Sequence, residues 1–160
     1  YPGKNAYTLQ DVYIENFFEE LRDDFLGAYM GIYFMEVADY YSRENNDDKE
    51  LLKLLYQSLT ALTHPTLERD FVKMIYEIKA IMINGEFPGV PEQSDDLSGA
   101  DRAIRHLWDT PAQNVYSFRV SDAVQKELGE RCAEIRKRVI DKEFKSLEML
   151  NSLKPDSEEQ

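Results

Sequence analysis

The stretch Leu67-Glu68-Arg69-Asp70-Phe71-Val72-Lys73-Met74-Ile75-Tyr76-Glu77-Ile78-Lys79-Ala80-Ile81-Met82-Ile83-Asn84-Gly85 decides the fold. Leu67, Phe71, Met74, Ile75, Ile78 and Ile81 recur at three- and four-residue steps, which puts them on one stripe of an α-helix. His64-Pro65 stops the helix before it, because the residue preceding a proline is pushed out of the α region; Thr66 is a suitable cap for the helix that follows. Asn84-Gly85 ends that helix, since both residues tolerate the left-handed conformation of a C-terminal cap.

Upstream, Ile14, Phe17, Phe18, Leu21, Phe25, Ala28, Tyr29, Ile32 and Tyr33 keep the same spacing and predict a helix running to Ser42, with a break near Arg22 to Asp24. The apolar-free segment Arg43 to Asp48 is a loop into a second helix, on which Leu51, Leu55, Leu59 and Leu62 share a face. Three antiparallel helices are expected. Downstream, the segment 85–97, with Pro88, Gly89, Pro91, Ser94, Asp95 and Asp96, reads as surface loop and as the boundary between two helical subregions.

Beyond that loop a short helix begins at Ser98, with Asp101 as its capping-box partner, and Thr110-Pro111 opens another short piece. Val120, Val124, Leu128, Cys132, Ile135 and Val139 mark a long amphipathic helix capped at Ser121. Phe144, Leu147, Leu150 and Leu153 complete a last short one. Tyr7 to Tyr13 is the only alternating strand candidate, and the polar tail 154–160 reads as disordered. The predicted fold is all-α, a bundle of about seven helices over residues 14–153.

The composition agrees: 42% hydrophobic and 31% charged residues with only 7 Gly and 6 Pro among 160 favour a helical globular chain over a collagen-like, disordered or many-turned β protein. The net charge of −12 repels phosphate backbones unless cations gather in one place. Residues 1–97 hold 8 bases against 19 acids, and residues 98–160 hold 11 against 12. The repulsion therefore comes from the first part.

Classical chemistry finds little support. His64 and His106 lack the spacing of a zinc or di-iron site, and the lone Cys132 falls on an apolar stripe, where a thiol behaves as a small hydrophobe. One cysteine forms no internal disulfide and indicates a reducing, cytoplasmic compartment. No phosphate-binding glycine loop or nucleophile elbow occurs. Acid pairs such as Glu19-Glu20 and Asp23-Asp24 are adjacent on a helix and do not face each other. No catalytic, metal or cofactor site is expected. The strongest positive feature is Arg131, Arg136, Lys137, Arg138, Lys142 and Lys145 against Glu134, Asp141 and Glu143, either a solvated helix face or a contact for DNA or an acidic partner.

Several segments resemble a known family. Glu77-Ile78-Lys79-Ala80-Ile81, Asn84-Gly85-Glu86-Phe87-Pro88-Gly89-Val90-Pro91, Val115-Tyr116-Ser117-Phe118-Arg119-Val120-Ser121 and Phe144-Lys145-Ser146-Leu147-Glu148 are similar to the helical C-terminal domain of the bacterial recombination mediator RecO. The opening Lys4-Asn5-Ala6-Tyr7-Thr8-Leu9-Gln10 resembles the exit from that family's N-terminal OB fold, so residues 1–13 are expected to be its remnant. The chain opens without methionine and reads as a piece of a longer protein.

The resemblance implies a DNA repair and recombination mediator, not an enzyme, that binds RecR, the SSB C-terminal tail and single-stranded DNA and loads RecA. Nucleoid association is implied with it, as is DNA binding mainly through the OB domain. Unlike many relatives, this chain has no four-cysteine module after Asn84, so no zinc is expected. An acidic, phenylalanine-ended tail needs an apolar slot and one or two cations. By chemistry and approximate family position, Arg69, Phe71, Lys73, Ile75 and Lys79 are the candidates. A stand-alone acidic helical adaptor and a ferritin-like carboxylate enzyme are the competing readings, the latter lacking its Glu-x-x-His pairs.

Overall fold

A computed structural model describes residues 10–44, 46–92 and 94–153. Its elements are α1 (Glu19–Arg22), α2 (Phe25–Tyr41), α3 (Lys49–Leu62), α4 (Arg69–Ile83), α5 (Gly99–Asp109), a 3-10 turn (Ala112–Asn114), α6 (Asp122–Val139) and α7 (Lys145–Leu153). Among the described residues there is no strand. The OB-exit reading falls largely on 1–9 and the tail reading on 154–160, outside the described residues; of the strand candidate Tyr7 to Tyr13, residues 10–13 are described and form no strand.

The expected break near Arg22 to Asp24 separates α1 from α2, and Asp24 caps α2 by accepting a hydrogen bond from the Gly27 N–H at 3.0 Å. The helix does not reach back to Ile14. Asn16 Oδ1 accepts the Phe18 N–H at 2.8 Å, and Phe18 takes a left-handed φ of 48°, so residues 14–18 leave the helical path. Thr66 is not the cap of α4. His64 to Leu67 close a turn in which the Leu67 N–H donates to the His64 carbonyl at 3.2 Å, and Glu68 becomes the N-cap residue. The other end follows the sequence reading. Gly85 sits at φ 74°, its N–H donates to the Met82 carbonyl, and the Glu86 N–H donates to the Ile81 carbonyl, both at 3.1 Å, a Schellman cap.

α4 is the hub. Every residue from Phe71 to Met82 except Lys73 is buried, and α4 packs against α2, α3, α5 and α6. The single stripe read from the sequence is thus the best-defined part of a helix covered on nearly all sides. Aromatic contacts fix its register on α2: Phe34 and Tyr76 stack with ring centroids 4.2 Å apart, and the Tyr76 hydroxyl donates to the Phe34 carbonyl at 2.6 Å. Tyr116, just after the 3-10 turn, shares a 2.6 Å hydrogen bond with the buried Ser58 of α3.

α5 and α6 are joined differently. Ser98 Oγ accepts from the Asp101 N–H at 3.2 Å and donates to Glu127 Oε1 at 2.7 Å, so one side chain caps α5 and ties it to α6. Gly99 lets the two helices approach, because an added methyl there would run into Val124.

These positions separate core from surface. Ile78→Ala, at a fully buried site on the hub, is expected to lower the unfolding free energy by about 2–5 kcal/mol. Leu52→Ala, at a side chain 58% exposed, should stay within about 0.5 kcal/mol, with urea unfolding as the measurement for both.

Candidate partner-binding site

The five residues expected to form a peptide slot on α4 do not form one surface. Phe71 is buried edge-on to Phe118 with centroids 5.7 Å apart, and Ile75 is wholly buried. Lys79 is buried too and spends its ammonium on the last carbonyls of α5, Leu107 at 2.6 Å and Trp108 at 3.4 Å; burial lowers its pKa. That position favours a cation, because helix C-termini carry partial negative charge. Arg69 pairs with Asp24, and Lys73 pairs with Glu77 at 2.9 Å. The slot closes because Phe71 and Ile75 belong to the stripe that packs inward and α5 covers Lys79.

Lys73 belongs to a larger arrangement around Glu77, a carboxylate only 3% exposed. Glu77 Oε1 accepts from the Tyr33 hydroxyl of α2, from Lys73 Nζ at 2.9 Å, and lies 3.5 Å from Arg136 Nε of α6. Burial, then the neighbouring carboxylate, push the Tyr33 hydroxyl far above its usual pKa. Lys73 also lies 5.4 Å over the Tyr33 ring. The cluster floors a groove of about 440 Å³ between α4 and α6, whose wall includes Cys132 and whose rim carries Glu68, Asp70 and Asp122. Four acids against Lys73, Lys126 and Arg136 make this groove a poor receptor for an anion.

The basic set of α6 and α7 is divided in the same way. Arg131 is paired with Asp101 and lies 3.6 Å from Glu127, and Arg136 serves Glu77. Lys142 lies 6.0 Å over the Tyr40 ring and 5.6 Å over that of Phe144. Lys137, Arg138 and Lys145 are exposed. The continuous +3 face read along the chain is therefore two structural arginines, one ring-bound lysine and three surface cations.

A different place gathers unpaired cations. A shallow groove of about 330 Å³ runs between α5 and the start of α6, lined by Gly99, Arg102, Ala103, His106, Phe118, Arg119, Val120 and Val124. No acid lines it. Arg102 and Arg119 are exposed, hydrogen-bond only backbone carbonyls and the Thr66 hydroxyl, and have no carboxylate partner among the described residues. His106 stands edge-on to Phe118 with centroids 4.8 Å apart, and its Nε2 lies 3.3 Å from Thr110 Oγ1. The sequence signal was present in Arg102 and His106, four apart and hence on one helical face. Arg119, seventeen residues after Arg102, joins them only through the fold.

Among the described residues no group of three or more His, Cys, Asp or Glu is placed to hold a metal ion, and no helix is long and apolar enough to cross a membrane. Burial, reinforced by Glu77, pushes the Cys132 thiol well up, which suppresses the thiolate.

Buried aromatics and caps that link helices define an all-α domain that carries an acid-free cationic groove on its surface. Residues 22–90, α2 through α4 with the following turn, match the family model described as Recombination protein O C terminal, so this stretch is similar to that family. The chain is similar to the DNA repair protein RecO of Acetivibrio thermocellus, 20% identical over 185 residues covering 96% of this chain and 74% of that protein. It is similar also to the DNA repair protein RecO of Clostridium novyi (strain NT), 22% identical over 184 residues covering 96% and 72%. No solved structure matches it. Both relatives are named as DNA repair proteins.

Two outcomes test the Glu77 cluster. Glu77→Ala should cost about 2–4 kcal/mol in urea unfolding, slightly below the value for a wholly buried pair because Lys73 and Arg136 keep 20% and 27% exposure. Cys132 should react with a thiol reagent slowly in the folded protein and rapidly in urea.

Proposed function

We propose that the chain serves DNA repair and recombination by binding partners, without bond-making chemistry of its own, in the cytoplasm at the nucleoid. The observation that carries this reading is the groove of Arg102, His106 and Arg119, free of acids in a chain of net charge −12. Two guanidiniums beside the apolar Phe118, Val120 and Val124 suit a peptide that ends in a carboxylate next to a large apolar side chain. The acidic, phenylalanine-ended tail of SSB has that chemistry, so the tail contact moves from α4 to the α5–α6 groove. Occupying the tail would loosen SSB on single-stranded DNA and favour annealing or RecA loading. RecR binding and strand binding by an OB domain of a longer protein complete the reading.

Calorimetric titration with a synthetic SSB-tail peptide tests it. Micromolar binding is expected, weakened about tenfold or more by Arg102→Glu, by Arg119→Glu, or by removing the terminal phenylalanine, given the strength of charge-assisted hydrogen bonds. Arg69→Glu and Lys73→Glu serve as the contrast, since both side chains are engaged inside the fold. Binding that follows Arg69 and Lys73, or no binding by the folded protein, overturns the assignment of the groove.

A further inference from the structure

α2 carries a second surface of opposite character. From Phe25 to Met35 its eleven residues include no charge. The inner side of the helix buries Met30, Tyr33, Phe34, Val37, Ala38 and Tyr41 in the core. The outer side is also apolar: Phe25 is 61% exposed, Ile32 43% and Met35 50%, with Ala28 and Tyr29 half-buried between them. At 100° per residue these five fall within roughly a 120° arc, the width of face that a globular helix normally buries, and Glu36, in the same arc, accepts the N–H and hydroxyl of Ser146 on α7. Phe25 and Tyr29 already pack together, with centroids 4.7 Å apart. Seven of the twelve large apolar side chains exposed among the described residues lie between Val12 and Met35, so the exposure is concentrated at one part of the chain.

The surroundings of this stripe say what would cover it. Asp11, Glu15, Glu19, Glu20, Asp23 and Asp39 are exposed nearby in sequence, and between residues 10 and 40 Arg22 is the one base. Asp39 lies on the same outer arc, one turn beyond Met35, and Asp23 stands just before the first residue of the stripe. A second copy of the chain packed antiparallel would set Asp39 of each copy against Asp23 of the other, and packed parallel would set like against like. Both arrangements bring acids onto acids in a molecule already at −12.

We propose that the outer face of α2 is a docking surface for a different protein, one that presents an apolar helix face flanked by Lys and Arg. The apolar stripe supplies the buried area, and the acidic ends of the stripe select a basic rim and exclude self-association. This rests on observations separate from the α5–α6 groove.

The test uses two labelled amphipathic peptides of about 18 residues, five helical turns, with one Leu face each and either Lys or Glu on the other face. Fluorescence anisotropy at low salt should show the Lys peptide binding at least about tenfold more tightly than the Glu peptide. Ile32→Ser and, separately, Met35→Ser should each weaken the Lys peptide by about tenfold, while Met149→Ser, an equally exposed methionine on α7, should not. Circular dichroism establishes that each variant is folded, and because both stripe residues are exposed, either alone suffices. Equal binding of the two peptides, or binding unchanged in the stripe variants, overturns the proposal. A dimer in sedimentation that Ile32→Ser dissolves also overturns it, because the occupant would then be a second copy.

Discussion

The carboxylate of Glu77 is the point at which three helices meet. It stands on α4, takes the hydroxyl of Tyr33 from α2, the ammonium of Lys73 from its own helix and the guanidinium of Arg136 from α6. A charge 3% exposed persists only where its partners are held in place, and here the core holds them. Phe34 on Tyr76 sets the distance of α2, and the burial of Leu128 and Cys132 sets that of α6. Once Glu77 and its three donors are aligned, a slip of either neighbouring helix by a turn would strand a charge. The cluster thereby fixes register more than it adds stability, much as a single buried polar residue does in a coiled coil.

The same constraint explains which parts of the fold were legible in the sequence. Helix ends carry local chemistry, so Ser98 with the Asp101 N–H, Asn84-Gly85 and the break before Phe25 could be read from neighbouring residues alone. The start of α1 could not, because one side chain, Asn16, diverts the backbone at Phe18. The capping role given to Thr66 failed for a similar reason: the turn after His64-Pro65 runs two residues further than its composition suggests.

The candidate site residues were harder to read because their fates are decided across helices. Periodicity puts Phe71 and Ile75 on the inward stripe of α4, where they cannot also line an open slot, but it does not say that Lys79 is enclosed as well, since burial of a second face depends on α5. Charge counted along α6 cannot tell which carboxylate waits opposite. Arg131 finds Asp101 and Arg136 finds Glu77, each more than twenty residues away. The converse holds for Arg102 and Arg119, unremarkable along the chain and brought together by α5 and the segment leading into α6. In an acidic protein the cations that matter for binding are those left over after the fold has taken its share.

That remainder is not distributed evenly. The groove between α5 and the start of α6 is lined by cations without acids, and the sequence around the α2 stripe, residues 10–40, is rich in acids with Arg22 as its one base. α2 and α5 each pack on α4, so the hub that closes the expected slot also holds the two surfaces apart. Opposite charge makes each surface unattractive to the other's partner: an acidic peptide is repelled along α2, and a basic helix gains nothing at Arg102 and Arg119. In a single domain of net charge −12, what selects between an anionic and a cationic partner is the local sign of the surface and not the sum over the chain.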